Sequence, residues 1–216
     1  MVSMSESWEM LVSPAQERSQ QRVQAILDAT AQIIDRDGVD AVTPTEIAYL
    51  SKSSVPSVYR YFPNTKSILR ALAQRNLERA LSKVEAGSEA SSGIPWSALE
   101  DTLGVLDDMY RNEPGFRSLR LGDGLAPNFL TGEEHNMTVL AKALAALFAD
   151  SHSLDLTPEM LHHIEVATTT HIALVDLAFQ KDPEGDHQLI SRAKELTINY
   201  LRSSIPVSTG QESQDG

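Results

Sequence analysis

Residues 43–62 read TPTEIAYLSKSSVPSVYRYF. Thr43 is a good N-cap, Pro44 suits the first helical position, and Glu46 stands three residues after the cap. That is the pattern of a capping box, in which two side chains satisfy orphan backbone N–H groups of a first turn. Ile47, Ala48 and Leu50 give this short helix an apolar face. It should stop near Ser51, with Lys52-Ser53 as the turn. Ser54 then caps a second helix that has Val55 and Pro56 in its first turn. The spacing turns Val58, Tyr59 and Phe62 into a core and leaves Ser53, Ser57, Arg60 and Tyr61 facing outward or partly so. Two short helices about a tight turn, with polar and basic outer positions, form a helix-turn-helix pattern.

The composition bounds what surrounds this pattern. A chain of 216 residues is long enough for one or two small domains with a core of their own. It has no cysteine, so disulfides and thiolate metal sites are excluded. No apolar run approaches a membrane span, and the start, MVSMSESWEMLVSP, lacks the basic-then-apolar layout of a signal peptide. The expectation is a soluble cytoplasmic protein without a membrane partner. The net charge of −12 is unevenly spread. Residues 1–83 hold 10 Lys and Arg against 9 Asp and Glu, whereas residues 84–216 hold 8 against 21. No acid lies between Glu46 and Glu78, while Lys52, Arg60, Lys66, Arg70 and Arg75 all do. A local basic patch on an acidic body can meet phosphates while the rest of the surface limits non-specific adhesion.

The flanking chain reads as helix throughout, so the fold class is all-α. Residues 1–15 are polar and mixed, an expected flexible arm. A first helix is predicted from about Ser19 to Arg36, with Val23, Ile26, Leu27, Thr30, Ile33 and Ile34 on one face and Gly38 after it. Pro63-Asn64 breaks the chain and can cap a long helix from Thr65 to about Glu85, whose stripe is Ile68, Leu69, Leu72, Ala73, Asn76, Leu77, Ala80, Leu81 and Val84. Residues 87–93 look like a linker. Further helices are predicted over Pro95–Asn112, Phe116–Leu121, from a capping box at Thr131 through Phe148, from Thr157-Pro158 to about Gln180, and from Glu184 or Asp186 to Arg202. Gly122, Gly124 and Pro127 mark a loop. Residues 205–216 have the composition of a disordered tail. The domains expected are therefore an arm at 1–15, a helix-turn-helix domain at 16–64, a larger helical domain at 65–204, to which the resemblance set out below gives the regulatory and dimerisation roles, and the tail.

The wording of residues 54–62, together with Ile26, Leu27, Gly38, Thr43 and Ile47-Ala48, resembles the DNA-binding domain of the tetracycline repressor (TetR) family over roughly Gln21 to Leu72. Lys52 stands where the family usually has Gly, and Thr65 where it favours Lys. The resemblance implies a homodimeric regulator, expected as a repressor, that binds a palindromic double-stranded DNA operator and is released by a small-molecule effector. In that reading Ser53, Ser57 and Arg60 face base edges. Arg18, Arg22, Thr43, Lys52, Tyr61, Thr65 and Lys66 face phosphates, with Ser54 at the helix start. Dimerisation is implied through the last two long helices. There, Met160, Ile164, Ala167, His171, Leu174 and Ala178 make one stripe, and Leu161, Thr168, Ile172, Val175 and Phe179 a second, a wider arc than one partner needs. An effector pocket is implied in the C-terminal helices, with Trp96, Met109, Tyr110, Phe116, Phe129, Met137, Thr168, His171 and Phe179 as candidate ligand-binding residues; each also suits plain core packing. The pair Asp107-Asp108 fits either a cationic ligand or a solvated face.

No phosphate loop, nucleophile elbow or zinc-protease helix is present, so no enzyme activity and no cofactor are expected. His163 and His171 share a face of one helix but lie about 12 Å apart by helix rise, too far for one metal ion. The alternative reading is an all-α protein-interaction module whose helix-turn-helix does not bind DNA; binding that weakens steeply with salt separates the two.

Overall fold

The computed structural model describes residues 14–90, 95–119, 136–152 and 154–205, and among them there are helices and no strands. The arm at 1–13, Phe129, the Thr131 capping box and the tail beyond 205 lie outside the described residues. In chain order the α-helices are α1 (Pro14–Asp37), α2 (Pro44–Leu50), α3 (Val55–Tyr61), α4 (Thr65–Ala90), α5 (Pro95–Asn112), α6 (Phe116–Leu119), α7 (Asn136–His152), α8 (Pro158–Lys181) and α9 (His187–Ser204), with a 3-10 turn at Val39–Ala41.

Local chemistry sets most of the ends. Thr43 and Ser54 cap α2 and α3 by accepting from Glu46 N and Ser57 N, each at 3.2 Å. Asn64 and Ser67 cap α4 reciprocally: Asn64 Oδ1 accepts from Ser67 N at 2.9 Å and Ser67 Oγ from Asn64 N at 3.4 Å. Thr157 accepts from Met160 N at 3.1 Å to start α8, and Asp186 from Leu189 N at 3.1 Å to start α9. Three predicted ends move outward, that of α7 from Phe148 to His152. α1 begins at Pro14, since Pro is well tolerated in a first turn. α4 continues through Gly87 to Ala90, beyond the predicted stop at Glu85 and into the predicted linker.

Two apolar clusters form. The first joins Ile26, Ile33 and Ile34 of α1, Ile47 of α2, Val58 of α3, and Ile68, Leu69, Leu72 and Ala73 of α4. The second joins Leu77, Ala80 and Val84 of α4 to α5, α6, α7, α8 and α9. α4 thus passes from one core to the other between Ala73 and Leu77, with the fully buried Asn76 at the crossing. A second bridge lies beside it. A Cβ placed on Gly115, just before α6, would come within 3.1 Å of Ala31 Cα on α1, so α6 rests directly on the helix-turn-helix domain. Glu113 in the same turn pairs with Arg79 of α4.

Candidate nucleic-acid interface and regulatory core

The turn between α2 and α3 closes as a Schellman motif. Ser53 N donates to Ala48 O at 2.9 Å and Lys52 N to Tyr49 O at 3.3 Å. Lys52 occupies the left-handed position with φ 52°, where an L side chain costs roughly 1–2 kcal/mol. Arg22 of α1 holds the strained turn from outside: one guanidinium nitrogen donates to Ser53 Oγ at 3.1 Å and to Lys52 O at 3.4 Å. Replacing Lys52 with Gly should therefore stabilise the chain by about 1 kcal/mol, read from urea unfolding. If Lys52 also meets a phosphate, the same variant should flatten the salt dependence of DNA binding by about one charge.

Around this turn the structure brings together most of the predicted contact residues. Arg60 and Lys66 are exposed, as are Arg18, Arg22, Thr43, Lys52 and Ser54; Ser53, Ser57, Tyr61 and Thr65 are half-buried. Arg60 has no ion-pair or hydrogen-bond partner among the described residues. Val58 and Phe62 are buried as expected, but Tyr59 is not: it is 51% exposed, beside Arg60 on the outer face of α3. Val58 and Phe62 already fill the inward face at i, i+4, and Tyr59 lies about 100° round the helix from Val58. Tyr49 on α2 is also open, at 78%. Both tyrosines were missed as surface groups, and each adds a hydroxyl to the rim of the motif.

Two charges depart from their expected places. Arg75, read as part of the basic patch, is buried and donates to Asp28 Oδ1 at 2.7 Å and Gln24 Oε1 at 3.2 Å, tying α4 to α1. Burial lowers its pKa from the ordinary guanidinium value, and Asp28 opposes that shift. Glu46 does not reach back to close the capping box; it pairs with Arg36 at 3.1 Å.

In the larger core the candidate pocket residues separate along α5. Trp96, near its start, is half-buried against Phe148 of α7, with ring centroids 5.3 Å apart, and carries Arg202 over its face. Tyr110, about 21 Å further along by helix rise, packs on Phe116 at 5.4 Å and Phe179 at 5.9 Å. Met109, Thr168 and His171 are buried. The Met137 side chain lies outside what is described. Thr168 donates to Ile164 O at 2.7 Å, within its own helix. Asp107 and Asp108 part company. Asp108 is exposed, whereas Asp107 is buried, its Oδ1 3.0 Å from His171 Nε2 and its Oδ2 2.9 Å from Lys194 Nζ of α9. The latter is a close ion pair that is not aligned as a hydrogen bond. His163 turns away from His171 to Tyr200, at 2.8 Å, and among the described residues no cluster could hold a metal ion.

A helix-turn-helix domain with a basic, hydroxyl-rich outer face, joined by one long helix to an all-helical body, has the build of a DNA-binding regulator. Residues 26–72 match the model for bacterial regulatory proteins of the tetR family, and residues 94–205 that for the tetracyclin repressor-like C-terminal domain. The chain belongs to the TetR family of transcriptional regulators. A TetR-family regulator from Streptomyces coelicolor of known structure is 32% identical, covering 85% of this chain and 99% of that one, with a TM-score of 0.73. The transcriptional repressor KstR of Mycolicibacterium smegmatis is 31% identical over 98 residues, 45% of this chain and 48% of that protein. The chain thus spans about half the length of the first curated relatives it matches. The regulator EthR of the same organism is 19% identical over 87% of this chain and 89% of its own length. No helix among the described residues is long and apolar enough to cross a membrane.

Proposed function

We propose that this chain is a homodimeric repressor that lays α3 of each subunit in successive major grooves of a palindromic operator and lets go when a small molecule enters the larger core. The observation that carries this is the outer face of α3: Arg60 and Tyr59 exposed, Ser57 and Tyr61 half-exposed, with Lys52 and Lys66 open at either end. Arg60 and Ser57 are assigned to base edges, and Tyr59, Tyr61, Lys52 and Lys66 to phosphates. Thr43, Thr65, Arg18 and Arg22 complete the rim, Arg22 also serving as the brace of the turn.

Support for dimerisation comes from a third stripe on α8. Both stripes predicted for burial are spent on the subunit's own core. What remains outside is Val166, 38% exposed, and Leu177, 40% exposed, with the exposed Thr170 and Ala173 between them at i, i+4, i+7 and i+11. Leu196 of α9 is 57% exposed. A two-fold axis through these helices buries both copies of the stripe and builds a four-helix bundle. The effector acts by favouring a state in which the two α3 helices no longer match the groove spacing, transmitted through α4 and the Gly115–Ala31 contact.

Gel-shift titrations on fragments selected from genomic DNA test the docking. Tyr61→Ala should weaken binding to every sequence, while Ser57→Ala should change the preference among sequences. Affinity of the parent chain should fall steeply with salt. Unchanged binding in both variants, or no measurable DNA affinity at low salt, would leave protein contact as the role of the motif.

A further inference from the structure

The polar chain Lys194–Asp107–His171 leads from the surface into the larger core and stops at an atom with no hydrogen-bond partner among the described residues. The Lys194 side chain is 33% exposed, Asp107 8%, and His171 0%. An ionised carboxylate only accepts, so the ring proton sits on Nε2 and donates to Asp107. With that proton on Nε2, Nδ1 of the neutral ring is a bare lone pair. It is buried and has no hydrogen-bond partner among the described residues. An acceptor left so is normally an expensive defect, and native proteins keep one only for a reason. Apolar members of the larger core stand close by along both helices: Met109 and Tyr110 follow Asp107 on α5, and Ile172 and Val175 follow His171 on α8. The buried Thr168, one turn before His171, spends its hydroxyl on Ile164 O.

We infer that His171 Nδ1 is the polar anchor of the effector site, and that the effector is an uncharged, largely apolar molecule that donates one hydroxyl, an alcohol or a phenol. This rests on the effector reading above and narrows it. A carboxylate offers only acceptors to an acceptor and would sit beside the Asp107 charge. An ammonium would add a charge to a carboxylate that Lys194 already balances. A hydroxyl donates the hydrogen bond that is missing and brings no charge into the core. Asp107 and Lys194 are positioning residues here: they fix which ring nitrogen is left free.

The experiment has two arms on the full chain. In the first, 15N-labelled histidine is followed by NMR, where His171 Nδ1 should carry no proton in the free protein. In the second, calorimetric titrations use 1-decanol, menthol and 4-hexylphenol, their methyl ethers, and decanoate and decylamine, each also tried for release of bound DNA. At least one hydroxyl compound should bind about tenfold or more tighter than its ether and move the Nδ1 resonance. His171→Phe should erase that difference; if this variant does not fold, the ether comparison and the NMR signal on the parent chain decide. A protonated Nδ1, equal binding of alcohol and ether, or no binding of any hydroxyl compound overturns the inference. Release of DNA by decanoate or decylamine alone would sink it and leave the effector reading standing. A hydroxyl compound that binds at His171 without releasing DNA would do the reverse.

Discussion

Placing glutamate at both Val166 and Leu177 is expected to turn the proposed dimer into a monomer and to lower operator affinity by about a hundredfold to ten-thousandfold. Ile164, Ala167, Ile172, Val175, Ala178 and Phe179 are buried within the subunit, so the fold of one chain does not need Val166 or Leu177. Both are more than one-third exposed, and they lie three turns apart on one face. In a two-fold interface each substitution is present twice, which puts four new carboxylates into a contact that must exclude water. The subunit itself keeps its core and its melting behaviour. What is lost is the coupling of two reading helices: a single α3 holds one half-site, and the gain from engaging both at once disappears. Sedimentation velocity gives the mass and gel shift the affinity. A variant that stays dimeric, or a monomer that binds the palindrome as well as the parent chain, would remove α8 from the interface.

How much of this was open to reading in the sequence follows from how local each cause is. The caps at Thr43, Ser54, Asn64, Thr157 and Asp186 act within three residues, and the helix starts they set were legible. The stripe of α4 was equally legible, because its period survives even where the helix crosses from one core to the other. What stayed hidden depends on partners far along the chain. Arg75 looks like one more surface cation until Asp28, 47 residues earlier, is brought against it. Asp107 looks like half of a solvated acidic pair until α8 and α9 deliver His171 and Lys194. Glu46 had two available partners, the backbone of Thr43 and the side chain of Arg36, and only the packing of α1 decides between them. Tyr59 was misplaced for another reason: an aromatic between two core positions reads as core unless its hydroxyl is credited with holding it at the surface. The outer stripe of α8 was not legible, because a wide apolar arc does not say which third of it the subunit itself consumes.

Gly185→Ala is expected to cost about 3 kcal/mol, a fall in Tm of about 10 °C for a chain of this size. Two penalties combine. Gly185 sits at φ +83°, in the turn that carries α8 into α9, where a Cβ costs roughly 1–2 kcal/mol. That Cβ would also meet the Phe179 ring at 2.8 Å and Ile190 at 3.0 Å, and overpacking of a filled core costs typically 1–3 kcal/mol. Phe179 has little room to retreat. Tyr110 stacks on it at 5.9 Å, and the guanidinium groups of Arg111 and Arg117 lie 5.9 and 5.2 Å from its centroid. Those two arginines also donate to the turn itself, Arg111 to Glu184 O at 3.3 Å and Arg117 to Pro183 O at 2.7 Å. Displacing the ring therefore loosens α5 and α6 as well as α8. A matched control has the opposite sign: at Gly104, inside α5, a Cβ would find Lys194 Nζ at 3.6 Å and nothing nearer, so Gly104→Ala should be neutral or stabilise by up to about 1 kcal/mol. Thermal and urea unfolding of the two variants side by side give the comparison. Equal effects at both positions would mean that the α8–α9 turn does not depend on the close approach of its backbone to Phe179.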